Sequence, residues 1–156
     1  MRTFSIGIFF MNDMNKRKDD VRRMLVAQED TRKNGMYGKF IIQVNQIQYL
    51  LICIIALRAY IPSKKLLAQL EELTLGALIG GFRLCVKSKL ELSLVQSLNL
   101  YKKSRDALAH RMFTAKELTE KECELAIELG EELKTYLEEA KGQEIKEWRA
   151  RLITGY

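Results

Sequence analysis

The chain has 156 residues and a mass of 18.1 kDa, long enough for one sizeable core and too short for two comfortable domains. Hydrophobic residues make up 47%, Pro62 is the single proline and glycines are sparse, so long helices are permitted almost throughout and an all-α fold is expected. Cys53, Cys85 and Cys123 are odd in number and set among apolar neighbours, and there is one histidine; this argues against a zinc-type metal centre and for reduced core thiols in a cytoplasmic protein.

The net charge of +6 and pI near 9.2 are compatible with an anionic partner without requiring one. Its distribution is more telling. Residues 1–113 carry 19 basic and 9 acidic side chains and residues 114–156 carry 7 and 11, which puts the two parts near +10 and −4.

Residues 1–14 read as an N-terminal tail or docking segment, because the apolar run from Phe4 to Met11 is too short for a signal peptide and lacks a cleavage site. A single bundle domain is expected over 15–141. Asn15 to Lys33 is charge-dense with Val21, Met24, Leu25 and Val26 as one modest stripe, and Asn34-Gly35 ends it. Tyr37 to Tyr60 is the most apolar segment. Phe40, Val44, Ile47, Leu51 and Ile54 share a face that Ile41, Ile52 and Ile55 widen, so this is the central core helix. Its unbroken apolar run, Tyr49 to Leu57, is far short of the roughly 20 residues a membrane span needs, so no membrane is expected.

Pro62-Ser63 breaks the chain. A short helix follows over Lys64 to Leu73, and Thr74 is placed as the N-cap of another over Leu75 to Lys87. Gly80-Gly81 points to a kink or a close helix contact; a phosphate-binding loop is discounted for want of a preceding strand and a Lys-Ser/Thr. Leu90 to Phe113 carries Leu94, Leu98, Tyr101, Leu108 and Met112 on one face. Thr114 to Glu117 fits a capping box that opens a last acidic helix with Leu118, Ala126, Ile127, Leu133 and Leu137 inward. Gly142 is expected to end that helix near Ala140, leaving 142–156 as a short amphipathic tail with Trp148 and Leu152. The outline is an antiparallel four- to six-helix bundle.

Chemistry is concentrated in Ser104 to Phe113. Arg105 lies on the apolar face, where an unpaired guanidinium is costly; it must meet a carboxylate, sit where the bundle opens, or face another chain. Asp106 and His110 are four apart, so the carboxylate can accept from one ring nitrogen and leave the other for proton transfer. Five residues place Arg105 and His110 about 140° apart around a regular helix. Either the helix starts at Ser104 as an N-cap, or two copies of the motif meet across a dimer, which the small Ala107 and Ala109 would allow; the second is favoured.

Arg105-Asp106-x-x-x-His110 resembles the R-x(4–6)-H signature of HEPN domains, whose usual form has a polar residue after the arginine. Leu73-Thr74-Leu75-Gly76-x-Leu78-Ile79 and Ala109-His110-Arg111-Met112-Phe113 followed by an acidic helix are similar to the family as well, over roughly residues 37 to 140. Asp106 departs from the commoner Asn and adds negative charge near a phosphate. The resemblance implies a HEPN-like helical bundle, a homodimer and, in many members, metal-independent endoribonuclease activity in toxin–antitoxin, phage-defence or RNA-processing systems. It leaves open whether an antitoxin or a nucleotidyltransferase is a partner.

On this reading RNA is cleaved by attack of the ribose 2′-hydroxyl on the adjacent phosphate, a reaction that needs an acid, a base and cationic donors but no cofactor. His110 is the acid or base, Arg105 the phosphate fork and Asp106 the group that orients His110; Lys102, Lys103 and Arg111 hold the RNA backbone. Two further readings are a non-catalytic helical module for dimerisation or partner binding, and a nucleic-acid binder without turnover.

Overall fold

The computed structural model describes residues 12–24, 35–59, 63–113 and 120–155, with side chains for all of these except 109–113 and 120. Six helices and no strand occur among them: α1 (12–24), α2 (Met36–Arg58), α3 (Lys64–Glu71), α4 (Leu75–Leu84), α5 (Lys89–Phe113) and α6 (Glu120–Thr154). The expected all-α bundle is the observed one.

The core forms where the 3.6-residue pattern puts it. Phe40, Val44, Ile47, Leu51 and Ile54 of α2 are buried, with Leu67 and Leu70 of α3, Leu75, Leu78, Ile79 and Phe82 of α4, and Leu94, Leu98, Tyr101 and Leu108 of α5. From α6 come Cys123, Ala126, Leu133 and Leu137. Helix α2 packs along α6 and against α3 and α4. Helix α5 runs antiparallel to both long neighbours. At one end Tyr101 meets Phe40 of α2, with ring centroids 5.5 Å apart, and at the other Glu91 meets Arg58. The α2–α6 pair is consequently parallel, with Met36 near Cys123 and Leu57 near Trp148.

The turns between the short helices follow local chemistry. Ser63 caps α3 by accepting from the Leu66 amide at 3.1 Å, and Thr74 caps α4 by accepting from the Ala77 amide at 3.3 Å. Gly81 allows α4 to approach α2 closely: a Cβ there would lie 3.2 Å from Ile55 Cδ1, whereas one at Gly80 would meet nothing.

Four expectations change. Residues 12–14 belong to α1 rather than to a tail, and Met14 is buried while its carbonyl accepts from the Tyr49 hydroxyl at 3.1 Å. Helix α3 stops at Glu71, which leaves Leu73 exposed, and α4 stops at Leu84 rather than Lys87. Gly142 does not end α6. One interior glycine costs about 1 kcal/mol of helix propensity, and packing of Ile145, burial of Glu144 and the Trp148 Nε1–Leu57 carbonyl bond of 2.7 Å outweigh it. The expected tail is therefore the last part of a 35-residue helix. Finally, α2 has 23 residues and is long and apolar enough, by length and composition, to cross a membrane, so the shortness of the Tyr49 to Leu57 run does not decide the matter. Half of that apolar stretch is buried inside the bundle. The expected capping box at Thr114 and the inward position of Leu118 lie outside the described residues, as do Leu25 and Val26 of the first stripe.

The glycines of α6 provide a matched pair of tests. A Cβ on Gly130 would fall on the buried Gln43 amide, so Gly130→Ala must displace Gln43 from its hydrogen bonds. Urea denaturation is expected to show a loss of about 2–4 kcal/mol for Gly130→Ala. A Cβ on Gly142 would meet nothing within 4 Å, and Gly142→Ala is expected to add about 0.5–1 kcal/mol through helix propensity.

Candidate functional site

Helix α5 starts earlier than its apolar pattern indicates because Ser88 caps it. The Glu91 amide donates to Ser88 Oγ at 3.2 Å while the Glu91 carboxylate accepts from the Lys87 amide at 2.6 Å, a variant of the capping box. From there the helix is continuous through the motif. Ser104 sits mid-helix with its hydroxyl donating to the Leu100 carbonyl at 3.3 Å, so it is not an N-cap, and no bend brings Arg105 and His110 onto one face.

Tyr101 sets the depth of the motif. Its ring is fully buried, and its hydroxyl donates to Gln43 Oε1 at 2.9 Å. The Gln43 amide in turn donates to the Ile127 carbonyl at 2.8 Å and to Glu131 Oε1 at 3.0 Å. A polar link thus ties α2, α5 and α6 together in the core, with both ends of the amide occupied. Burial pushes the Tyr101 hydroxyl well above the usual range; Glu131 adds to this and Arg105 opposes it, so the Arg105 charge is felt at the tyrosine.

One turn beyond Tyr101, Arg105 emerges from this face with 32% of its side chain exposed. Its Nε is shielded from solvent and donates no hydrogen bond. Asp106 Oδ1 is 3.1 Å from that nitrogen, an ion-pair distance off the N–H direction. Asp106 Oδ2 takes Lys102 Nζ at 2.6 Å, four residues back on the same helix. The Lys102 stem lies over Gly76 of α4, where a Cβ would be 2.8 Å from Lys102 Cε. Lys103 points to solvent. Of the three expected environments for Arg105, the structure shows the first: it meets a carboxylate, that of its chain neighbour Asp106.

His110 and Arg111 are on α5, but their side chains, and with them the Asp106–His110 contact, lie outside the described residues. The structure thus brings Lys102, Arg105 and Asp106 together and carries His110 on the same rigid helix. On another face of α5, it and α6 leave a groove of about 410 Å³, lined by Leu100, Ser104, Ala107 and Leu108 on one side and Glu122, Leu125, Ala126 and Leu129 on the other. Leu100 and Leu125 are exposed. Among the described residues no group of three or more His, Cys, Asp or Glu stands together as a metal site would require.

A second charged cluster lies at the opposite end of α5 and escaped the sequence reading. Arg58, 4% exposed, holds Glu91 through a bidentate pair of 2.6 and 2.8 Å and Glu144, 3% exposed, at 2.8 Å; it also donates to the Cys85 carbonyl and lies 5.8 Å from the Phe82 ring centroid. Lys87 closes the cluster on Glu144 at 2.6 Å and Glu147 at 3.1 Å. Burial works against the Arg58 charge, but its bonds to Glu91 and Glu144 outweigh it, and the guanidinium is held charged. Arg58 and Glu91 sit near helix ends, where charges are ordinarily solvated, and Glu144 lies within α6. The Ser88-x-x-Glu91 spacing was the one signal that could have found Glu91.

The cluster makes stability acid-sensitive. Burial pushes the Glu91 carboxyl up, but Arg58 and the Lys87 amide more than reverse this and hold it below its ordinary 4.5. A depressed carboxylate stabilises the fold fully above its unfolded value and loses that contribution as pH falls through the folded one. Unfolding free energy is expected to fall below about pH 4.5, and the acid slope to be shallower in Glu91→Gln. An unchanged slope in that variant would remove Glu91 from the account.

Compared with protein-family models, curated proteins and solved structures, the chain matches none.

Proposed function

We propose that the chain is a metal-independent endoribonuclease of HEPN type that works as a homodimer. The observation that carries this reading is Arg105: a basic side chain one-third exposed, with Lys102 close by on a helix that also bears the single histidine. A phosphate would meet the exposed part of the Arg105 side chain rather than its shielded Nε. His110 serves as acid or base for 2′-hydroxyl attack. Asp106 retains acceptor capacity for His110 while bound to Lys102, since a carboxylate has about four acceptor sites. Lys103 and Arg111 extend the positive field along the RNA backbone.

One copy supplies half a site. Along a continuous helix the positions of Arg105 and His110 are about 140° apart, and in-line displacement needs groups on both sides of the phosphorus, which a second copy provides. The α5–α6 groove, with Leu100 and Leu125 exposed, offers an apolar surface on which a second copy can pack.

The Arg105–Asp106 pair favours a second reading, a non-catalytic module that keeps the fold and uses this face for dimerisation or partner binding. The deciding experiment is incubation of purified protein with labelled RNA in EDTA, beside His110→Ala. Cleavage by the wild type alone is expected. Loss of cleavage in EDTA, or equal cleavage by the variant, removes the nuclease assignment, and a monomer at micromolar concentration removes the two-copy site.

A further inference from the structure

On the other flank of the α2–α6 pair, away from α5, α1 closes a pocket of about 450 Å³. Lys18 and Arg22, one turn apart on α1, face it from one side and Lys141 of α6 from the other, with Glu138 the one carboxylate on its wall. Lys141 is the exception among the partly buried cations of the described residues. Arg17, Arg58, Lys102, Arg105 and Lys134 each have a carboxylate within ion-pair distance. Lys141 has none among the described residues; it lies over the Tyr49 ring, 5.1 Å from the centroid. Burial is the largest influence and acts against its protonated form; Cys53 and Glu138 favour the charge, Lys18 and Arg22 oppose it, and the net shift is downward. Partly buried Lys141 and the exposed Lys18 and Arg22 thus line one concave space, an arrangement that an anion relieves.

We propose that this pocket binds a phosphate monoester dianion, with Lys141, Lys18 and Arg22 on the phosphate and the organic group against Tyr49 and Leu50. The charge matches: three cations and Glu138 leave two positive charges for two negative ones. Gln46 supplies a neutral amide on the same wall, and the volume leaves room for an organic group beside the phosphate. The pocket is independent of the Arg105 site. Lys141 lies ten residues, about 15 Å, along α6 from Glu131, and it faces α1 rather than α5. The ligand would also join α1 to α6, reinforcing the anchorage that Met14, the Tyr49 hydroxyl and the Arg17–Glu71 pair already supply.

The test is calorimetric titration of the full chain with adenosine 5′-monophosphate, inorganic phosphate and adenosine at constant ionic strength. Saturable binding of the monophosphate, none of adenosine, and affinity reduced about tenfold or more in Lys141→Met are expected. Monophosphate bound more tightly than inorganic phosphate identifies an ester as the ligand; equal affinities identify the free ion, and both outcomes support the phosphate site. Unliganded Lys141→Met is expected to melt no lower than the wild type, because an unpaired buried charge is removed. Arg105→Ala is expected to bind the monophosphate normally, which separates this pocket from the RNA site. Absence of saturable phosphate binding, or binding retained in Lys141→Met, overturns the proposal.

Discussion

Arg105→Ala is expected to slow RNA cleavage by about 100- to 1000-fold while the protein stays folded, the usual consequence of removing one preorganised donor from a charge-stabilising site. The guanidinium is a third exposed and its Nε makes no hydrogen bond, so little folding energy depends on it. Lysine would restore the charge but not the planar fork, and Arg105→Lys is expected to recover only part of the rate. His110→Ala removes the acid or base and is expected to cost at least as much, about 100- to 10,000-fold. Mixing the two inactive variants provides the sharpest check. If each functional site combines Arg105 of one copy with His110 of the other, mixed dimers regain one intact site and activity returns toward a quarter of the wild-type level for statistical pairing. Wild-type rates in either single variant, with melting temperatures alongside to show folding, would end the catalytic assignment.

Arg58→Ala is expected to produce the largest loss of stability of any single substitution considered, about 3–5 kcal/mol in urea denaturation. Removing the arginine leaves Glu91 and the almost fully buried Glu144 facing each other, with only Lys87 to compensate. Against a total of roughly 5–15 kcal/mol for a domain, this is enough to unfold a substantial fraction of the molecules. The penalty comes from stranded carboxylates more than from lost attraction, and that distinction is testable. Combining Arg58→Met with Glu91→Gln is expected to be more stable than Arg58→Met alone, giving a coupling energy of about 1–3 kcal/mol in the double-mutant cycle. A change below about 1 kcal/mol for Arg58→Ala would show the cluster to be wetter and weaker than its burial indicates.

The helices were legible because burial follows a 3.6-residue period that residue type alone reports. Phe40 to Ile54, Leu94 to Tyr101 and Leu133 with Leu137 fall inside for that reason. The three caps that rely on a neighbour three residues away, Ser63, Thr74 and Ser88, depend equally on local chemistry. At Gly142 the local rule that treats glycine as a stop fails. Whether the helix continues depends on what lies beyond, here Glu144, Ile145 and Trp148 packed against α2.

What the sequence determined by itself is the all-α class, the central place of α2, and an arginine, an aspartate and the single histidine carried on one helix with 140° between the first and last. Only the tertiary structure decided which charges are interior. Arg58, Glu144 and Lys141 look like ordinary helix-surface charges along the chain, and they differ only in what the other helices bring to them: two carboxylates for Arg58, a guanidinium for Glu144, and for Lys141 an aromatic ring and two more cations. Gly130 became meaningful in the same way, as the space that Gln43 of another helix fills. Periodicity reports which face of a helix is apolar; the partners that the buried Arg58 charge meets lie 33 and 86 residues away in the chain, which no local pattern encodes.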